Sequence, residues 1–313
     1  MTGYTPMTFA EFDSLFQEVC NWGKWGPDDE MGTLNYLTPA RVAKAASLVR
    51  SGRTVSLSRP INKVAAADNP NPAVHLMVRT YDVPSRDGEP QFSADYLASG
   101  CHGNSHSHMD ALCHIAYKGK LYNGKPSSFV TSTGAKIMDI TRYSTGIVGR
   151  GVLLDIPRLR GKKWLEPGDG VTGEELEAAE KAQGVRLEEG DMFVFRTGIC
   201  QRRAELGPWN VEVGGEGRPG LHPTAMRLLH ARKVAAFLPD GDGETVPFAV
   251  EGAGAPVHAL QIGSMGLACA DSLQLEELAA ACQKEGRWEF MAVIAPLRLP
   301  GGTGCLVNPV AIF

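Results

Sequence analysis

The sequence predicts a single α/β domain, and three observations lead there. Segments with strand-like alternation and segments with helically spaced apolar residues are mingled along the chain. No repeat, low-complexity tract or linker-like stretch separates one part from another, so residues 1–313 are expected to form one unit. The 313 residues, 43% hydrophobic and 21% charged with a net charge of -4, are long enough to bury a sizeable core.

Composition also excludes function classes. No apolar run approaches the roughly 20 residues that span a bilayer. The N-terminus M-T-G-Y-T-P-M-T-F-A-E-F lacks a basic segment followed by an apolar one, so a cytoplasmic protein without membrane contact is expected. Seven cysteines at irregular spacings, with no C-x-x-C pair, fit reduced thiols better than a disulfide framework. Acidic and basic residues are interspersed, and the densest basic patch, Arg158 to Lys163, is short, so nucleic acid is not an expected partner.

Taken in order, Phe9, Phe12, Leu15, Phe16 and Val19 share one helical face, with Thr8 and Glu11 spaced as a capping box. The Gly, Pro and Asp-rich run from Trp22 to Pro39 reads as an ordered loop, because Trp22, Trp25, Leu34 and Tyr36 need burial; the tryptophans either wall a pocket or anchor this segment. A helix from Pro39 to Val49 follows, capped by Thr38 and closed by Gly52; residues 1–52 thus form a helical extension packed on the rest. Arg53 to Pro60 and Val74 to Tyr81 read as strands.

The densest chemical signal comes next. From Cys101 to Tyr117 the chain reads C-H-G-N-S-H-S-H-M-D-A-L-C-H-I-A-Y, holding His102, His106, His108 and His114, four of the eight histidines, around Asp110. If the first half is extended, Asn104, His106, His108 and Asp110 project from one face; a helix starting near Asp110 would keep His114 on the same side. Imidazole and carboxylate together suit Zn, Mn or Fe. Cys101 and Cys113, which flank the cluster, are assigned to packing.

After a turn-rich stretch, Gly119 to Pro126, in which Tyr122, like Tyr117 before it, could line a pocket, strands are expected at Gly151 to Ile156 and Asp191 to Arg196, with a helix from Thr172 to Gln183 between them. Arg196 is assigned to structural pairing. A helix capped near His222 to Thr224 leads to a buried strand, Val234 to Leu238, ending at Asp240; carboxylates at a Gly-rich turn after such a strand make Asp240 a site candidate, although turn formation explains it equally well. Asp271 is either a ligand or the N-cap of a helix from Leu273 to Cys282. Strands from Glu289 to Leu299 and near the C-terminus close the chain.

The stretch His106 to His114 resembles the second half of the H-x-G-T-H-x-D-x-P-x-H signature of the metal-dependent cyclase superfamily, which includes bacterial kynurenine formamidase and isatin hydrolase. W-G-x-D-D-E-x-G-T-L-N-x-L-T-P near the N-terminus, G-D-M-F-V-F-R-T-G and the segment beginning at His258 are similar to further motifs of its longer members. The resemblance implies a swivelling β/β/α fold, a mixed inner sheet wrapped by helices, assembled as a homodimer or homotetramer. It places metal ligands at His108, Asp110, His258 and Asp271, the last replacing a glutamate one carbon longer, and proton transfer at His114. The first metal histidine of the pattern falls on Asn104. Either His106 swings into that place, or Asn104 coordinates through its amide oxygen, or metal binding is weakened or lost.

The implied activity is hydrolysis of a carboxamide or lactam bond in a small aromatic or cyclic substrate, using a divalent cation, Mn or Zn, with Trp22, Trp25, Tyr117, Tyr122 and Asp240 as candidate substrate contacts. Lactone opening would use the same groups. A metal-free small-molecule-binding protein is the alternative from another class.

Overall fold

The computed structural model describes residues 5–83 and 88–313; the first four residues of the N-terminal segment read above for a leader lie outside it. The fold is α/β. Its centre is a nine-stranded mixed sheet made of β1 (Thr54–Ser56), β4 (His108–Asp110), β5 (Ile147–Asp155), β6 (Met192–Arg196), β7 (Ala236–Pro239), β8 (Ala268–Asp271), β9 (Glu289–Ile294), β10 (Gly304–Leu306) and β11 (Val310–Ile312). The strand order is β1-β11-β9-β5-β6-β7-β8-β4-β10. Strands β5 to β8 run parallel, and the flanking pairs are antiparallel.

Strands β6, β7 and β8 are buried along their full length, which is why they read as apolar runs rather than alternating ones: helices cover a parallel sheet on both faces. Phe193, Phe195 and Phe237 meet there, with ring centroids 5.2 to 6.0 Å apart. The helix Gly173–Gln183 carries the β5 to β6 crossover, and Met226–Arg232 precedes β7. Arg196, at the end of β6, pairs with Asp155 at 2.9 Å, as its structural assignment requires for a buried cation.

The first helix, Phe9–Glu18, has both halves of the Thr8/Glu11 capping box. It buries Phe12, Leu15 and Phe16, while Phe9, expected on the same face, is 44% exposed. Its packing positions the site: Ser264 Oγ donates to the Phe16 carbonyl at 2.6 Å, and Asn21 bonds the Ser264 and Met265 carbonyls. This clamps the Ala259–Met265 π-helix that continues directly from His258. The second helix ends at Ala46, earlier than expected, and is capped by Thr38.

The strand β2 (Val74–Arg79), expected to reach Tyr81, lies outside the main sheet and pairs with β3 (Ala94–Ala98), a partner with no clear alternation in the sequence. Two expected helices need correction. The helix expected from Leu273 begins at Glu276, so Asp271 ends β8 and caps nothing. The helix expected after Asp110 is a tight turn, closed by the His114 N–H on the Ala111 carbonyl at 2.9 Å. Among the described residues no helix is long and apolar enough to cross a membrane, and the seven cysteines are free thiols.

Candidate metal centre

The centre grows from β4, a three-residue strand between β8 and β10. Two-residue periodicity puts His108 and Asp110 on one face and the fully buried Met109 on the other. Asp271 stands directly opposite His108 in the antiparallel register, so the same face receives it. His258 comes from the helical turn Pro256–His258, and its Nε2 lies 3.1 Å from Asp271 Oδ2.

Upstream of His108 the chain is bent, not extended, so the alternation predicted for Asn104 and His106 fails there. Ser107 fixes the departure, donating to the Ser272 carbonyl at 2.7 Å and accepting from the Arg59 N–H at 2.9 Å. Asn104 donates to Glu212 at 2.7 Å, and His106 Nε2 meets the Asn62 carbonyl at 3.1 Å. Neither belongs to the cluster. The loop turns back through Gly103, at φ +114°, and delivers His102 instead, with Nδ1 2.8 Å from Asp110 Oδ1. Gly304 makes room for that ring: a Cβ there would sit 2.7 Å from His102 Cε1.

The donors form two overlapping groups, His102/His108/Asp110 and Asp110/His258/Asp271, each with ligand atoms within 4.8 Å of one another. Asp110 belongs to both, and its buried Oδ2 has no hydrogen-bond partner. Each histidine has one ring nitrogen held from outside: His102 Nε2 by Thr303 Oγ1 (2.9 Å), His108 Nδ1 by the His106 carbonyl (2.9 Å) and His258 Nδ1 by Glu244 Oε1 (3.1 Å). The other nitrogen of each faces a carboxylate, the arrangement that orients metal-ligating imidazoles. A nitrogen and oxygen donor set with an orphaned buried oxygen fits a divalent cation.

His114 stacks on His102, centroids 3.7 Å apart, with Nε2 3.9 Å from Asp110 Oδ2. Burial pushes its pKa down to about 4, against the pull of Asp110, so the ring is neutral at physiological pH. Asp110 is held well below the usual carboxylate range: burial alone would raise it, but the His102 hydrogen bond and the surrounding histidines outweigh that. His258 shifts upward, because its bonds to Asp271 and Glu244 overcome its burial. The Cys113 thiol is pushed up to about 12 by burial, as suits a packing residue.

A cavity of about 180 Å³ is lined by these side chains together with Gly103, Ile115, Asp242 and Ala255. A second cleft, about 260 Å³, shares His102 and Gly103 with it and runs past Asn71, Asn104 and Glu212. The five proposed substrate contacts line neither. Trp22 donates to the Gly263 carbonyl at 2.8 Å and meets Phe16 edge-on, and Trp25 packs edge-on against Tyr36. Tyr117 lies against Phe16 with its hydroxyl on Asp13, and Tyr122 is fully buried with its hydroxyl on Asp29. Asp240 accepts from the Thr197 and Gly198 N–H groups and from Thr197 Oγ1. All five anchor the fold.

Of the residues that the structure brings to or beside the cluster, the sequence reading leaves out His102 and Glu244. For His102 the signal was present, a histidine followed by glycine just upstream, but a fixed spacing passed over it. Glu244, in a polar Gly-rich turn, carried none.

Comparison with known proteins bears on the family and the fold. The Cyclase family model, described as "Putative cyclase", matches residues 55–242. The crystal structure of a novel cyclase superposes with a TM-score of 0.84 at 32% identity, covering 95% of this chain and 99% of that one. Isatin hydrolase A from Labrenzia aggregata, bound to benzyl benzoate, gives 0.57 at 21% identity over 89% and 98%. A "predicted metal-dependent hydrolase from Bacillus stearothermophilus" gives 0.51 at 15% over 83% and 97%. No curated protein matches.

Proposed function

The chain belongs to the cyclase family, and on that premise we propose that it is a metal-dependent hydrolase that opens a carboxamide or lactam bond in a small aromatic or cyclic substrate. The observation that carries the reading is the pair of donor groups sharing Asp110 beside a neutral His114. The isatin hydrolase and the metal-dependent hydrolase of the same fold support the reaction class.

His102, His108 and Asp110 would hold one cation, and Asp110, His258 and Asp271 a second. Bound there, a divalent metal such as Mn or Zn polarises a carbonyl oxygen and lowers the pKa of a water from about 15.7 towards about 7. His114 takes the proton from the attacking water at Nε2 and returns it to the leaving nitrogen; a neutral imidazole suits both steps. The cavity admits the reacting carbonyl, and the cleft beyond His102 and Gly103 takes the rest of a small substrate, with Asn104 in its wall. Opening a lactone would need no different group.

The assembly is a homodimer or homotetramer. The β2–β3 hairpin presents Leu76, Met77, Val78 and Tyr96 at least half exposed on its two faces, and a second copy of the chain is the cover such an apolar arm needs. A monomeric mass by sedimentation velocity would end this part of the proposal.

The test of the activity is elemental analysis of the purified, tag-free protein, followed by a panel of formamides, lactams and lactones. Bound Mn or Zn and turnover on a formamide or lactam are expected. The His114→Ala variant should keep its metal while turnover falls about 10² to 10⁴-fold. No metal after reconstitution with Mn and Zn would replace the hydrolase with a metal-free small-molecule binder.

A further inference from the structure

The outer partners of the three histidines are unequal. His102 is held by a threonine hydroxyl and His108 by a backbone carbonyl, whereas His258 is held by a carboxylate. That carboxylate, Glu244, is 1% exposed and accepts twice on Oε1, from the His258 backbone N–H at 2.7 Å and from Nδ1 at 3.1 Å. Its Oε2 is buried without a hydrogen-bond partner. An unsatisfied buried carboxylate is expensive to keep, and here it is spent on one imidazole.

We propose that Glu244 is a positioning residue that makes Asp110/His258/Asp271 the tight cation position, leaving His102/His108/Asp110 as a weaker, exchangeable one. Accepting from Nδ1–H leaves Nε2 as the nitrogen whose lone pair would go to a cation beside Asp271, and a charged acceptor makes that nitrogen a better donor than a neutral one would. Asp271 is held in turn: Cys269 Sγ donates to its Oδ1 at 2.7 Å, leaving Oδ2 towards His258. The inner position gathers Asp110, Asp271 and, one step out, Glu244; the outer has Asp110 alone among carboxylates. Its His102 is also the more open side chain, 29% exposed against 9% for His258. Activity would then follow the supply of metal to the outer position while the inner one stays filled.

The inference rests on the cation-binding reading, and zinc titration of the metal-free protein by equilibrium dialysis tests the two separately. Wild type is expected to bind two equivalents with distinct affinities. In Glu244→Gln, which keeps an acceptor for the His258 N–H groups but loses the charge, the tighter equivalent should weaken about 10 to 100-fold while the weaker one is unchanged. His102→Ala should instead abolish the weaker equivalent and spare the tighter. A general loss of structure would move both equivalents, and Glu244→Asp, which keeps the charge but draws it back, should fall between Gln and wild type. Two equivalents with unaltered affinities in Glu244→Gln overturn this inference and leave the hydrolase intact; a wild type that binds no zinc overturns both.

Discussion

The two halves of the donor cluster are built by opposite means. Asp271 and Asp110 lie on adjacent strands in fixed register, and His258 stands at the head of a π-helix clamped by the first helix of the chain. His102, by contrast, reaches Asp110 from an irregular loop that turns at Gly103, and Thr303, Gly304 and the stacked ring of His114 shape its seat. Sheet register tolerates local change because many backbone bonds share the load; a loop closure concentrates the geometry in a few residues. The inner half should therefore survive perturbations that dismantle the outer half.

The largest effect comes from the residue common to both. Asp110→Ala should empty both positions and reduce hydrolysis at least about a thousandfold, on the several kcal/mol that a catalytic metal supplies. Elemental analysis beside far-UV circular dichroism reads this directly: a folded variant with no bound metal is expected. One equivalent remaining would mean that the halves do not share Asp110. A step below, His258→Ala should remove the inner equivalent and leave His102, His108 and Asp110 to bind more weakly. If it emptied the outer position as well, the division into halves would be wrong.

The same division explains what was legible in the sequence. Spacing puts His108 and Asp110 on one face, as it does in β4, where period two applies; the family resemblance singles them out and points to Asp271. The same period extended to Asn104 and His106 fails because those residues bend, and the structure brings His102 to Asp110 in their place. Loop closure depends on bonds such as Ser107 to Ser272 and Arg59, distant in sequence, which no local pattern encodes. The aromatic candidates lie away from both clefts for another reason: Trp22, Trp25, Tyr117 and Tyr122 have the chemistry of pocket walls, but a long N-terminal segment has to be pinned to the core, and large rings with polar tips do that too. Strands β5, β6 and β7 are readable within a few residues, since burial leaves apolar runs, whereas β8 is not read as a strand at all. The β2–β3 hairpin was half read, because its second strand has no buried face to impose alternation.

Gly304→Ala attacks the outer half alone. The new Cβ would lie 2.7 Å from both His102 Cε1 and the Met109 carbonyl oxygen, and the second of these is backbone of β4 that cannot swing away. A loss of about 1 to 3 kcal/mol in urea unfolding is expected, with the His102 ring displaced. The outer equivalent should weaken while the inner keeps its affinity; equal weakening of both would show that β4 itself had moved and that the halves are mechanically one.

The smallest effect should come from His106→Ala, and it separates proximity in sequence from membership of the site. His106 sits two residues from His108, yet its Nε2 meets the Asn62 carbonyl and its Nδ1 lies 3.4 Å from Ser99 Oγ, so its ring braces the loop that carries His102 against the base of the β2–β3 hairpin. Truncation removes those bonds, while the Asn62 carbonyl keeps the Ala73 N–H and Asn69 Nδ2 as donors, so a loss of about 1 kcal/mol is expected. Because His102 remains tied to Asp110 and Thr303, metal content should stay at the wild-type value and turnover should change by less than about threefold, a shift well under 1 kcal/mol in the barrier. Loss of one metal equivalent in this variant would return His106 to the ligand set. It would also show that the loop rearranges when the cation binds, making the outer half a position assembled by its metal rather than one waiting for it.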